Sequence, residues 1–294
     1  MSERTLGQLL DNAAKRFNTA GIDSARLDAR LLAACAIGWN AGQIMARPDH
    51  APTPEQCRDL EEMVARREAR EPVALILGHS EFWSLDFTVA RDVLTPRPDS
   101  ETLVEAALKT AGIKGGASSI LDLGTGTGCL LLALLSEWPN ARGLGVDVSK
   151  AALDVAEGNA RRLGLEGRAR FQVSDWDAGV EGVFDLVISN PPYIAEDDFS
   201  GLEPEITRYE PRLALSGGPD GLACYRALSP AIARRLAPLG RAFIEIGADQ
   251  AETAGSALNH AGLRACAVHQ DLAGRPRVIE AGRDDEGKSE KIEE

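Results

Sequence analysis

Along the chain, apolar positions first recur at helical spacing and later in short unbroken runs, and the change divides the sequence. Leu6, Leu9, Leu10, Ala13, Ala14 and Phe17 fall on one face of a helix that Gly21 ends. A second helix is predicted from Ser24 to Gly38, with Leu27, Leu31, Leu32 and Cys35 on its apolar face. A third opens at Thr53-Pro54-Glu55-Gln56, where Thr53 is a good N-cap, Pro54 takes the first helical position and Gln56 can close a capping box. It carries Leu60, Met63 and Val64 inward and ends near Pro72. Residues 1–75 therefore read as a small helical domain, serving either as a structural cap or as a docking surface.

Val73–Gly78 and Glu81–Val89 look like two strands about a short turn, so 76–98 is expected to be a β-hairpin linker. The prolines of Thr95-Pro96-Arg97-Pro98-Asp99-Ser100-Glu101 keep that stretch extended. Asp99 or Ser100 can cap a helix starting near Glu101, and Arg97 is placed to line a cleft. From Ser119 the pattern alternates. Strands are predicted at 119–123, 142–147, 168–173, 184–189, 240–246, 263–269 and 275–281, with helices at 128–137, 150–163, 220–237 and 249–261. Such alternation means an α/β domain with a mostly parallel seven-stranded sheet, here spanning 99–282. The acidic tail, 283–294, is expected to be disordered.

Composition narrows the function classes. A net charge of −13 over 294 residues argues against general affinity for DNA or RNA backbones. Cys35, Cys57, Cys129, Cys224 and Cys266 form no C-x-x-C pair, and the four histidines have no ligand spacing. No metal site is expected, and the cysteines suit a reduced cytoplasmic protein. The first residues lack a signal-peptide core, and no apolar run approaches a membrane span.

Two motifs carry chemistry. Ile120-Leu121-Asp122-Leu123 runs into Gly124-Thr125-Gly126-Thr127-Gly128 and then a helix. Glycines there let the backbone turn tightly and approach a ligand. Asp147, at the end of the next strand, sits where a carboxylate can hold ribose hydroxyls. A dinucleotide would prefer G-x-G-x-x-G, and a P-loop needs a lysine; this loop offers neither. S-adenosylmethionine, with ribose and adenine but no pyrophosphate, suits the loop and tolerates Asp122. Asp175 and Trp176, after the third strand, can flank an adenine.

The second motif is Asn190-Pro191-Pro192-Tyr193, just beyond a buried strand. Asn190 offers a side-chain carbonyl, the prolines leave their carbonyls free to accept, and Tyr193 offers a flat face. Two acceptors side by side can hold both hydrogens of an NH2 group and aim its nitrogen. The bland alternative is a turn leaving a strand.

Together these residues resemble the class I S-adenosylmethionine-dependent methyltransferases. More closely, the chain resembles the HemK/PrmC family of release factor protein-(glutamine) methyltransferases. The most telling stretches are Thr95–Glu101 and Tyr209-Glu210-Pro211-Arg212-Leu213-Ala214-Leu215, supported by Gly78–Trp83, Asp122–Gly128 and Asn190–Ile194. Ser100 departs from the family, which more often has Thr there. The resemblance implies methylation of the glutamine of the Gly-Gly-Gln motif in bacterial-type class 1 release factors; a monomer is expected. It assigns S-adenosylmethionine to Gly124, Thr125, Gly126, Thr127, Gly128, Asp147 and Trp176, bordered by Asn190. The glutamine amide falls to Asn190, Pro191, Pro192 and Tyr193, with Arg97 nearby. Two alternatives remain: a methyltransferase for the adenine amino group of DNA or RNA, and a non-catalytic S-adenosylmethionine-binding partner of the translation machinery.

Overall fold

The computed structural model describes residues 4–110 and 117–283. The chain divides into two compact units: the first runs to His79 and takes in Glu203–Tyr209, and the second holds Ser80–Leu202 and the chain from Glu210 onward. Among the described residues, no helix is long and apolar enough to cross a membrane.

The first unit is helical: α1 (Leu6–Thr19), α2 (Ala25–Ile37), α3 (Ala41–Ala46), α4 (Pro54–Glu68) and α5 (Val73–Leu77). Leu6, Phe17, Leu32, Ile44, Leu60, Val64 and Ile76 meet in its core. The Thr53–Gln56 capping box forms, with Gln56 N donating to Thr53 Oγ1 at 3.2 Å and Thr53 N to Gln56 Oε1 at 3.0 Å. One expectation fails here. Val73–Gly78 is not a strand: Val73–Leu77 is a helical turn, stopped by Gly78 in the left-handed region (φ 77°). A short apolar run does not distinguish strand from helix by itself, and burial of Ile76 in the bundle core decides for helix. The later segment belongs to this unit through charge. Arg67 bonds Asp28 at 2.7 Å and Glu205 at 2.8 Å, and Arg70 reaches Glu205 at 2.5 Å. Burial works against the Glu205 carboxylate, but the two guanidiniums hold its pKa below the ordinary value.

The hairpin is shorter than predicted. Its strands are β1 (His79–Phe82) and β2 (Leu85–Thr88), so the fold-back falls at Trp83 and Ser84, both at positive φ. Phe82 and Phe87 then anchor it in the core of the second unit. A 3-10 turn over Pro98–Ser100 leads into α6 (Glu101–Lys109), but no side chain caps that helix.

The seven-stranded sheet contains β3 (Ser119–Leu123), β4 (Arg142–Asp147), β5 (Ala169–Val173), β6 (Phe184–Ser189), β7 (Leu236–Glu245), β8 (Leu263–Gln270) and β9 (Pro276–Arg283). Their order is β5-β4-β3-β6-β7-β9-β8, parallel except for β9, which runs antiparallel to both its neighbours. Side chains alternate between two cores. Ile120, Leu186, Ile188 and Phe243 face one layer with Leu103 and Leu131, while Leu121, Val187, Ala242 and Ile244 face the other with Tyr225, Leu228 and Leu258. Helices α6 and α7 (Cys129–Glu137) supply the first layer, and α10 (Ala223–Arg235) and α11 (Ala251–His260) the second. The helix α8 (Lys150–Arg162) follows β4 and packs against it, and α9 (Pro204–Tyr209) belongs to the first unit.

Strand β7 begins earlier than expected, at Leu236 rather than residue 240. The helix was expected to run to residue 237, but it ends at Arg235, and an irregularity in the β6–β7 register accommodates the early part of the strand. Arg283, expected in the tail, is the last residue of β9 and donates to the Leu236 and Ala233 carbonyls. The remainder of the tail, 284–294, lies outside the described residues.

Candidate active site

Strand order reverses between β3 and β6, and open α/β sheets bind ligands beyond the carboxyl ends of strands at such a point. A cleft of about 540 Å³ lies there, within the range of small-molecule sites. It gathers Arg97, Ser100, Gly124–Thr127, Asp147, Asp175, Trp176, Asn190 and Pro192.

The cofactor side is built from backbone. Gly124, Gly126 and Gly128 have φ of 76°, 55° and 79°. The Gly124 and Thr125 amides both donate to the Val146 carbonyl at 2.9 Å, which ties the loop to the end of β4. A Cβ on Gly124 would meet nothing within 4 Å, so its glycine answers to backbone conformation and leaves room beside the loop. Gly128 is not part of the cleft wall. It occupies the N-cap of α7, where a Cβ would press on Ala156 at 3.2 Å and Leu132 at 3.3 Å.

Asp147 is fixed by two backbone amides, Gly126 N to Oδ2 at 3.0 Å and Ser149 N to Oδ1 at 2.9 Å. Each carboxylate oxygen keeps a further lone pair for a ligand hydroxyl. Asp122 is wholly buried; burial pushes its pKa up to about 7, against the Thr125 hydroxyl that donates to it at 2.7 Å. Its Oδ1 has no hydrogen-bond partner of standard geometry among the described residues. Trp176 lines the cleft with a strained backbone (φ 48°) in a turn where the Ser174 hydroxyl lies 2.9 Å from the Trp176 carbonyl oxygen and 2.6 Å from that of Ala178. Free space beside the glycine turn, a carboxylate with spare acceptor capacity and an indole on one cleft suit a ribose–adenine ligand.

The amide-holding side is built from side chains. Asn190 Nδ2 donates to Ser100 Oγ at 3.1 Å. Its Oδ1 makes no hydrogen bond among the described residues, which leaves an acceptor on a cleft-lining side chain. Pro192 lines the cleft, whereas Pro191 is buried outside its wall. Tyr193 departs from the expected open face. Its ring packs against the second core, its hydroxyl reaches Glu245 Oε1 at 3.4 Å, and burial, followed by the Glu245 charge, pushes its pKa up to about 12. Arg97 lines the cleft and pairs with Glu210 at 2.6 Å; burial raises the Glu210 pKa, although Arg97 opposes it.

Two participants escaped the sequence pattern. Ser100 was expected as a helix cap, but its side chain turns to Asn190 instead. Glu245 ends β7 at 1% exposure, beneath Tyr193. The available signal was an acid inside the apolar run Ala242-Phe243-Ile244-Glu245-Ile246.

Comparison with known proteins identifies the family. Residues 8–78 match the family model "PrmC N-terminal domain", and residues 99–206 match "Methyltransferase small domain". A release factor glutamine methyltransferase from Rhodospirillum rubrum is 49% identical over 282 residues, covering 96% of this chain and 86% of the relative. One from Cereibacter sphaeroides is 44% identical, covering 92% of this chain and 95% of the relative. Among solved structures, a methyltransferase from Pyrococcus furiosus superposes with a TM-score of 0.51 at 18% identity, over 75% of this chain and 96% of that one, a likeness of fold.

Proposed function

Since the chain belongs to the release factor glutamine methyltransferase family, we propose that it methylates the side-chain amide nitrogen of the glutamine in the Gly-Gly-Gln motif of bacterial-type class 1 release factors. The methyl donor is S-adenosylmethionine, which when bound supplies an electrophilic methyl group on a sulfonium. The observation that carries the reading is the orientation of Asn190: its NH2 is engaged by Ser100, and its carbonyl oxygen is left as a free acceptor in the same cleft as the glycine turn and Asp147.

An amide nitrogen is a poor nucleophile because its lone pair is delocalised into the carbonyl. The protein's contribution is placement. Asn190 Oδ1 accepts an amide hydrogen and turns the nitrogen toward the methyl donor. Fixing that geometry in advance can account for a large share of a barrier. Positive charge develops on the nitrogen during transfer, and that acceptor gains strength as it does. The proton then leaves to water. Gly124–Thr127, Asp147 and Trp176 hold the cofactor, and Arg97 stands at the substrate's side of the cleft. The helical part, residues 1–75, serves as a docking surface for the release factor. The enzyme acts as a monomer in the cytoplasm.

The test is transfer of labelled methyl from S-adenosylmethionine to purified release factor carrying Gly-Gly-Gln or Gly-Gly-Ala. Label on the first alone is expected. Label entering DNA or RNA instead would move the reading to an adenine-amino methyltransferase, and cofactor binding without any transfer would make the protein a binding partner only.

A further inference from the structure

Gln250 holds the N-cap position of α11, a place that Ser, Thr, Asp or Asn fills better, and its side chain caps no amide of that helix. The side chain is committed elsewhere. Gly247 N and the Tyr225 hydroxyl each lie 3.1 Å from Gln250 Oε1, and Gln250 Nε2 donates to the Tyr193 carbonyl at 3.0 Å. The two ends of this amide cannot be exchanged. A backbone N–H can only donate and a backbone carbonyl can only accept, so Oε1 must face Gly247 and Nε2 must face Tyr193. Two glycines leave the room for it. A Cβ on Gly221 would fall 2.6 Å from the Tyr193 carbonyl oxygen and 2.8 Å from Gln250 Nε2, and one on Gly247 would fall 2.7 Å from Gln250 Oε1.

The Tyr193 carbonyl is the last peptide group of the Asn190–Tyr193 turn. Between Tyr193 and Asn190 stand Pro191 and Pro192, whose rings fix φ. Few torsions are left to absorb a shift at Tyr193 before it reaches Asn190. The near end of the turn is tied as well: the buried Ser189 hydroxyl donates to the Leu123 carbonyl at 2.7 Å, at the root of the glycine loop. Beyond Tyr193, Ile194 N donates to the Leu215 carbonyl at 3.0 Å and Gly217 N to the Ile194 carbonyl at 2.9 Å. The chain therefore leaves the turn beside Ser216, which lines the cleft. Asn190 is held between an anchor on β3 and an anchor at the start of α11.

We propose that Gln250 is a positioning residue for methyl transfer: by donating to the Tyr193 carbonyl it holds the Asn190–Tyr193 turn at the angle that aims Asn190 Oδ1 at the substrate amide. Gln250 lies outside the cleft wall, so it acts through the turn and not on the substrate. The inference rests on the function proposed above. It adds that the aim of Asn190 is set from behind, by the side chain that opens α11.

Gln250→Glu keeps the size and the acceptor for Gly247 and Tyr225, but at neutral pH it has no proton for the Tyr193 carbonyl. Tyr225→Phe is the converse: it removes the hydroxyl from the Oε1 end and leaves the tie to Tyr193. The experiment measures kcat and KM for release factor, Kd for S-adenosylmethionine and Tm in Q250E, Y225F, N190A and the Q250E/N190A double variant. For Q250E the expected loss is about tenfold or more in kcat, with cofactor Kd within about twofold of wild type. Y225F should keep kcat within about twofold of wild type although its Tm falls by a few degrees. In the N190A background Q250E should cost less than about twofold, because Gln250 acts through Asn190. Gln250→Met, which also lacks the donor, supplies the same reading if Q250E does not fold. Q250E at wild-type kcat, a Y225F loss in kcat as large as that of Q250E, or a Q250E loss that persists undiminished in the N190A background would overturn the proposal. These failures differ from failure of the function itself, in which the wild-type protein would not methylate release factor at all.

Discussion

The two sides of the cleft are made in opposite ways. The cofactor side centres on one continuous stretch, Asp122–Gly128, whose shape comes from glycine backbone angles and amides tied to Val146 and Asp147, with the Asp147 carboxylate and Trp176 beside it. The amide side draws Ser100, Asn190 and Tyr193, with Glu245 behind Tyr193, from three separate parts of the chain and works through side chains. A backbone-built site tolerates side-chain change beside it but not a changed φ. A side-chain site fails when one atom is exchanged. Binding and transfer should therefore respond to different substitutions.

The largest effect should come from Asn190→Ala, which removes the acceptor used as charge develops. The expectation is a fall in kcat of about 10²–10³-fold with cofactor Kd little changed, read by methyl transfer and calorimetry. Equal losses in both quantities would merge the two sides. Asp147→Ala should do the reverse, weakening S-adenosylmethionine by roughly 10- to 100-fold while kcat at saturating cofactor stays near wild type.

Gly145→Ala probes the support beneath the loop. Its Cβ would fall 2.7 Å from Thr125 Oγ1 and 2.8 Å from Phe171 Cδ1, so a loss of roughly 1–3 kcal/mol in stability is expected by denaturant melts. An unchanged melt would mean that the strand and loop can move apart.

The smallest effect concerns pH. Burial raises the Asp122 pKa from an ordinary 3.8 to about 7, so the folded state binds its proton more tightly than the unfolded chain. That stabilisation is complete below about pH 4 and is lost as pH rises through about 7. Asp122→Asn has no such loss. The Tm of D122N minus that of the cofactor-free wild type should grow by a few degrees from about pH 4 to 7 and then level. A flat difference would show that Asp122 does not titrate in this range.

The same contrast explains what could be read from the sequence. The sheet strands and the glycine turn were legible because alternation, apolar runs and glycine spacing are local signals; Ile120 and Leu121 face opposite cores as period two requires. Val73–Leu77 was misread because five apolar residues fit either element, and the bundle core decided. Tyr193 was expected on the surface of the cleft, but its hydroxyl found a buried carboxylate. Ser100 looked like a cap because caps are local, whereas its partner lies 90 residues away. Glu245 could be suspected only as an acid out of place in an apolar strand. No spacing rule ties it to Asn190, because only the closing of β6 onto β7 brings them together.

The most direct test is a double-variant cycle on Asn190→Ala and Asp147→Ala, measuring kcat at saturating cofactor and Kd for S-adenosylmethionine in all four proteins. The account predicts that the double variant shows the kcat of N190A and the Kd of D147A, since the acceptor for the substrate amide and the carboxylate for the cofactor act separately. A double variant whose kcat or Kd departs from those values by more than about tenfold would contradict it.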